Sequence, residues 1–106
     1  MRMLSDNEIL KLKKELAHKN LELTKVFKVL SEPNRCKIFW MFATQDIMSV
    51  GTTAKILNIS LPLASQHLKT LLHSGMLKKE KRGQRVYYEL KREEPIVKTL
   101  VKIIKL

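Results

Sequence analysis

The chain holds one cysteine, three glycines, three prolines and only 6% aromatic residues in 106 positions. Each scarcity excludes something. A single thiol cannot close an intramolecular disulfide, and it fits a reducing, cytoplasmic setting. So few glycines and prolines leave no room for long flexible linkers, and residues 1–106 read as a single domain without internal repeats. No run approaches the roughly 18 consecutive apolar residues of a membrane span. The opening stretch, MRMLSDNEILKL, turns amphipathic at once and lacks an apolar signal core. Paired carboxylates, a nucleophile with its base, a phosphate-cradling glycine loop and a metal-ligand set are all missing, so neither an enzyme nor a cofactor is expected. Acidic charge is the last shortage: 10 Asp and Glu against 21 Lys and Arg leave a net charge of +11. A small domain this basic meets a polyanion, nucleic acid before a membrane surface.

With 44% hydrophobic residues the chain has the makings of a modest globular core. Ser5 and Glu8 have the spacing of a capping box. Behind them Ile9, Leu12, Leu16, Leu23, Phe27 and Leu30 recur at helical spacing, which predicts one long helix over residues 6–31. That stripe is more apolar than one small domain can cover. Pro33 opens a second helix carrying Ile38, Phe39, Met41 and Phe42, and residues 47–50 read as a brief extended segment. Thr52 or Thr53 is expected to cap a short helix ending at Leu57. Asn58-Ile59-Ser60 is a tight turn, and Ser60 caps a helix over residues 61–73. Short helix, turn and second helix form a helix-turn-helix. After Gly75 the period becomes alternating, and two strands around Arg82-Gly83-Gln84 make a β-hairpin. Pro95 opens a last helix over residues 95–106, with Ile96, Leu100, Ile103 and Ile104 on one side. The fold class is therefore mostly α with a small hairpin, a winged helix-turn-helix.

Charge gathers behind the helix-turn-helix. Residues 69–92 hold eight basic side chains against two acidic ones, whereas residues 1–32 hold seven against five. The helix over 61–73 has core leucines at 68, 71 and 72, and its outer side offers Pro62, Leu63, Ser65, Gln66, Lys69 and Thr70. Gln suits an adenine edge, and Lys a guanine or a phosphate. With Ser60 at the helix start and Lys79, Lys81, Arg82, Gln84 and Arg85 in the hairpin, these residues make up the candidate DNA-binding set. His67 is expected to be a packed, hydrogen-bonded histidine.

The stretches VLSEPNRCKIF (residues 29–39) and SQHLKTLLHSGMLKKEKRGQRVYYEL (residues 65–90) resemble the ArsR/SmtB winged-helix repressors. The shared features are Glu-Pro-x-Arg at the second helix, Ser-x-His-Leu in the reading helix, a glycine turn and a wing ending in Tyr-Tyr-x-Leu. The resemblance implies a homodimer that binds operator DNA and represses transcription, paired through its first and last helices. Leu12, Leu16, Leu23, Ile96, Leu100, Ile103 and Ile104 would then form the interface.

The departures from that pattern carry their own expectations. Similar proteins often begin the reading helix with Gln, Ser and Thr; here Leu61, Pro62 and Leu63 stand there. An apolar turn can touch thymine methyl groups, or it can dock a protein. Metal sensing in similar proteins uses cysteines before the turn, or carboxylates and histidines on the last helix. One Cys and three His supply neither set, so no metal is expected. Cys36, flanked by Arg35 and Lys37, is either a redox-active thiol or a small buried hydrophobe. The rival to a DNA-reading repressor is a winged-helix protein-interaction module with only nonspecific nucleic-acid affinity. An amphipathic membrane-surface helix at 95–106 is weaker still, because it lacks Trp and Phe.

Overall fold

A computed structural model of the chain describes residues 2–19 and 22–105. Within them run α1 (Asp6–Ala17), α2 (Glu22–Leu30), α3 (Pro33–Thr44), β1 (Met48–Ser49), α4 (Val50–Leu57), α5 (Leu61–His73), β2 (Leu77–Arg82), β3 (Arg85–Leu90) and α6 (Pro95–Ile104). The strands form one antiparallel sheet in the order β1-β3-β2.

The single helix expected over residues 6–31 is two helices. α1 opens with the expected capping box: the Ser5 Oγ accepts from the Glu8 N–H at 3.2 Å, and the Glu8 carboxylate accepts from the Ser5 N–H at 3.1 Å. It closes at His18, whose N–H turns back to the carbonyls of Glu15 and Leu16. No residue of α1 is buried. Propensity and the capping box therefore have to hold the helix, and histidine and asparagine at positions 18 and 20 are weak helix formers. Residues 20 and 21, where continuity was expected, lie outside the described residues.

From α3 onward the elements close on a shared core. Glu32 caps α3 by accepting from the Arg35 N–H at 2.8 Å, and Pro33 occupies the first turn, where its missing N–H costs nothing. The Arg35 Nε donates to the Val29 carbonyl at 2.7 Å, tying the end of α2 to α3. Ile38, Phe39 and Phe42 are fully buried against Leu68 and Leu71 of α5, Met76, Leu77 and Leu90 of the sheet region, and Val97 of α6.

Ser49, rather than Thr52 or Thr53, caps α4: its Oγ accepts from the Thr52 N–H at 3.2 Å. Thr53 is buried instead, its hydroxyl donating to the Ser49 carbonyl at 3.0 Å. Between α4 and α5 the chain reverses at Asn58, which has left-handed backbone angles (φ 54°, ψ 48°). Asparagine tolerates that conformation better than other side chains do. Ser60 then caps α5 by accepting from the Leu63 N–H at 3.2 Å, as expected. In the hairpin Leu77 faces Leu90 and Arg82 faces Arg85, leaving Gly83-Gln84 as a two-residue loop with Gly83 at φ +64°. Beyond β3, the Arg92 guanidinium donates to the Phe42 carbonyl at 2.9 Å and fastens the end of α3. Among the described residues no helix is long and apolar enough to cross a membrane.

Candidate nucleic-acid interface

α5 sits on the core through Ala64, His67, Leu68 and Leu71, all buried. Its opposite face presents Pro62, Gln66 and Lys69 to solvent, with Ser65 and Thr70 half-buried beside them. Two of the nominated hydroxyls are already engaged. Ser60 caps the helix, and the Thr70 Oγ1 donates to the Gln66 carbonyl at 3.1 Å. Gln66 and Lys69 are the exposed polar side chains with reach, and Ser65 is the nearest hydroxyl outside these bonds.

Alternation along the hairpin sorts the wing's cations onto two faces. Leu77, Lys79 and Lys81 share one with Val86, Tyr88 and Leu90; Lys78, Glu80 and Arg82 share the other with Arg85, Tyr87 and Glu89. Pairing with a carboxylate, more than the face, decides which cations are left available. Lys78 is held between Glu89 at 3.8 Å and Glu93 at 3.5 Å, and Arg82 pairs with Glu80 at 3.2 Å. The Glu93 carboxyl is held below its ordinary range by its own backbone N–H and then by Lys78. Among the described residues no carboxylate pairs with Lys69, Lys79, Lys81 or Arg85. Lys79 also stands 6.0 Å from the Tyr88 ring centre and Arg82 5.9 Å from that of Tyr87, the outer limit of a cation–π contact. Burial pushes the Tyr88 hydroxyl up from its usual pKa.

One groove was not legible in the sequence. Ser49, Val50 and Gly51 at the start of α4 line it together with Leu61 of α5 and Arg85, Val86 and Tyr87 of β3. The Ser49-x-x-Thr52 capping spacing was the available signal, obscured by the two threonines that follow. The groove joins the Ser49-capped start of α4, a guanidinium and three aliphatic side chains on the side where α5 and the wing meet.

The remaining nominated residues are placed as follows. His67 is buried, as expected, but not hydrogen-bonded as expected: its Nε2 lies 3.8 Å from a Glu32 carboxylate oxygen, too far for a hydrogen bond, and its Nδ1 has no partner among the described residues. Cys36 is exposed, one helical turn before an exposed Trp40, so the buried-hydrophobe reading of this residue does not hold. It lies outside the core because Ile38, Phe39 and Phe42 take the inward face of α3. Leu12, Leu16 and Leu23 are exposed, Leu16 to 65%, and Ile103 to 58%. Leu100, nominated for a dimer interface, is instead taken into the protomer's own core, and Ile96 and Ile104 pack half-buried against it. α6 turns its Val97–Leu100 side inward and leaves the Ile103 side out. Among the described residues no group of three or more His, Cys, Asp or Glu could hold a metal ion.

This geometry is similar to that of several known proteins. Residues 30–80 match a family model described as a helix-turn-helix domain. The chain is 37% identical over 97 residues to a Staphylococcus aureus protein named "Cadmium resistance transcriptional regulatory protein CadC homolog", covering 91% of this chain and 78% of that one. It is also 37% identical over 68 residues to the Bacillus subtilis transcriptional repressor SdpR, covering 64% of this chain and 74% of the relative. Among solved structures, the transcriptional regulator HlyU from Vibrio vulnificus superposes with a TM-score of 0.71 at 28% identity, over 92% of this chain and 94% of that one.

Proposed function

Since the chain belongs to the ArsR/SmtB family of winged-helix transcriptional regulators, we propose that it is a homodimeric, sequence-selective DNA-binding repressor. α5 enters the major groove with Gln66, Lys69 and Ser65 toward base edges, and the wing carries Lys79, Lys81 and Arg85 to flanking phosphates. One observation supports this reading: the exposed first turn of α5, through Leu61, and Arg85 of the wing, which no carboxylate pairs with among the described residues, line the same open groove. The apolar residues left exposed on α1 and α2, with Ile103, supply a surface for a second copy. Two-fold symmetry then sets an inverted-repeat operator with half-sites about one helical turn apart.

No metal effector is proposed. The first-named relative concerns cadmium resistance, but this chain's donors do not fit such an ion. Its one thiol is Cys36, and among the described residues no three donors converge. A cytoplasmic setting accords with a reader of operator DNA.

The test is fluorescence-anisotropy binding to the DNA upstream of the protein's own gene, against a scrambled duplex, at several salt concentrations. Binding to the upstream DNA at least about a thousandfold tighter than to the scramble is expected of a specific reader. Equal, weak and steeply salt-dependent binding to both would leave only the charge speaking, and would favour an interaction module.

A further inference from the structure

We propose that the apolar first turn of α5 is itself a specificity element: Leu61 and Leu63 read thymine C5-methyl groups on the floor of the major groove. This rests on the DNA-reading function proposed above and names what part of that site recognises. The turn is 56% exposed at Leu61 and 37% at Leu63, with Pro62 exposed between them. Ala64, fully buried, holds the inward position of that turn. The helix packs on α3, α4 and β2, so these side chains stay outside the protomer's own core.

The surroundings of Leu61 decide between DNA and a protein surface as the occupant. Leu61 and Val86 share a groove with Arg85 and the start of α4, where Ser49 and Gly51 lie. Val86 is itself exposed, and Arg85 has no carboxylate partner among the described residues. A guanidinium and a helix start suit phosphate, and they stand beside three aliphatic side chains, Val50, Leu61 and Val86, and the Tyr87 ring. A DNA strand offers that adjacency: phosphates along the groove edge and, on its floor, the thymine methyl as the distinctive apolar group. An apolar protein partner would have to bury an unpaired guanidinium in the same groove, at a desolvation cost. Leu61 and Leu63 are two residues, and so about 200°, apart around α5: they flank its outer face on opposite sides, Leu61 on the side of Arg85 and Val86. They therefore meet different base pairs, with Gln66 between them one turn on.

The experiment is a thymine-to-uracil scan. A preferred duplex is selected from random-sequence DNA by the purified protein, and each thymine of one half-site is replaced in turn by deoxyuridine, which lacks only the methyl group. Binding is followed by fluorescence anisotropy for the native protein, Leu61→Ala and Leu63→Ala; both positions are exposed, so the fold is retained, as circular dichroism would verify. At one or more positions uracil is expected to weaken native binding about fourfold per methyl contacted. Leu61→Ala should abolish the penalty at one position and Leu63→Ala at another, each leaving the other's position unchanged. Unchanged affinity for every uracil duplex, with the selected site still preferred over a scramble, would overturn this inference and leave the repressor reading standing. A penalty that persists in both variants would also overturn it, placing methyl readout elsewhere. If selection yields no preferred duplex at all, the DNA-reading function and this inference fall together.

Discussion

Lys81 and Arg82 are neighbours in the chain but differ in what they have left to give. Lys81 has no carboxylate partner among the described residues, whereas Arg82 already donates to both oxygens of Glu80, at 3.2 and 3.3 Å. A cation that meets phosphate releases counterions, and one already neutralised releases fewer. Lys81→Ala should therefore reduce the slope of log affinity against log salt by about 1, and Arg82→Ala by distinctly less. Equal reductions would mean that Glu80 lets go on the DNA, as weak exposed ion pairs can. Gln66→Ala is expected to cost about 1–3 kcal/mol on the preferred duplex and to relax one base position; an even loss on all duplexes would make Gln66 a phosphate contact. The sequence points to Lys81 and Arg82 alike because composition reports charge, whereas Arg82 meets Glu80 because the two are neighbours on one face of β2. Arg92 shows the same limit. It was counted with the wing's charges, yet its guanidinium is spent on the Phe42 carbonyl, fifty residues away in sequence.

At the scale of elements, one carboxylate stands where α3 begins and α5 passes. Glu32 accepts from the Arg35 N–H, and an oxygen of the same group lies 3.8 Å from the His67 Nε2. Losing the cap costs about 1 kcal/mol, so Glu32→Ala should lower the thermal midpoint by a few degrees, read by circular dichroism; an unchanged midpoint would show the cap to be replaceable by water. α1 has a pH signature of its own. The Ser5 backbone N–H, then the Ser5 side chain and Arg2, hold the Glu8 carboxyl below its ordinary value. A depressed carboxylate contributes its stability above the unfolded-state value and loses it as pH falls through the folded one. The Glu8 side-chain resonance should therefore titrate below the ordinary glutamate range, with the Ser5 amide following it; an ordinary midpoint would mean an open capping box. The boundaries of α5 were legible because Ser60, Pro62 and Gly75 are local signals with local causes. The break after Ala17 was not, because the apolar stripe continues at helical spacing across it. Spacing says which face would be buried, and only packing says whether anything buries it. The third strand was half-legible, as an extended segment whose pairing with β3 depends on residues some forty positions away.

For the whole molecule, the surface falls into two territories. α5, the start of α4 and the wing make one, basic and bearing the Leu61–Leu63 turn; the outward sides of α1, α2 and α6 make the other, where Leu12, Leu16, Leu23, Phe27 and Ile103 stand exposed. In the proposed dimer the second territory is covered by a second copy. The double substitution Leu12→Asp with Leu16→Asp should then yield a monomer by sedimentation, with the core from α3 to β3 intact and operator affinity greatly reduced. A persistent dimer would move the interface to Leu23 and Ile103. The apolar excess that pointed to a partner was visible in the sequence. The assignment of Leu100 to it was not, because α6 is apolar on more than one side and only the folded protomer shows which side it keeps.

α1, twelve residues long with none of them buried, has a further consequence. A helix of that length is marginal in water on its own. In the proposed dimer its order is supplied by mass action, so protein copy number sets how much of α1 is formed. The melting temperature should then climb with concentration, and operator occupancy should follow roughly the square of the protomer concentration while the dimer is scarce. The helix with least to hold in its own protomer would thus act as the molecule's gauge of abundance, turning a gradual rise in expression into a steep onset of repression.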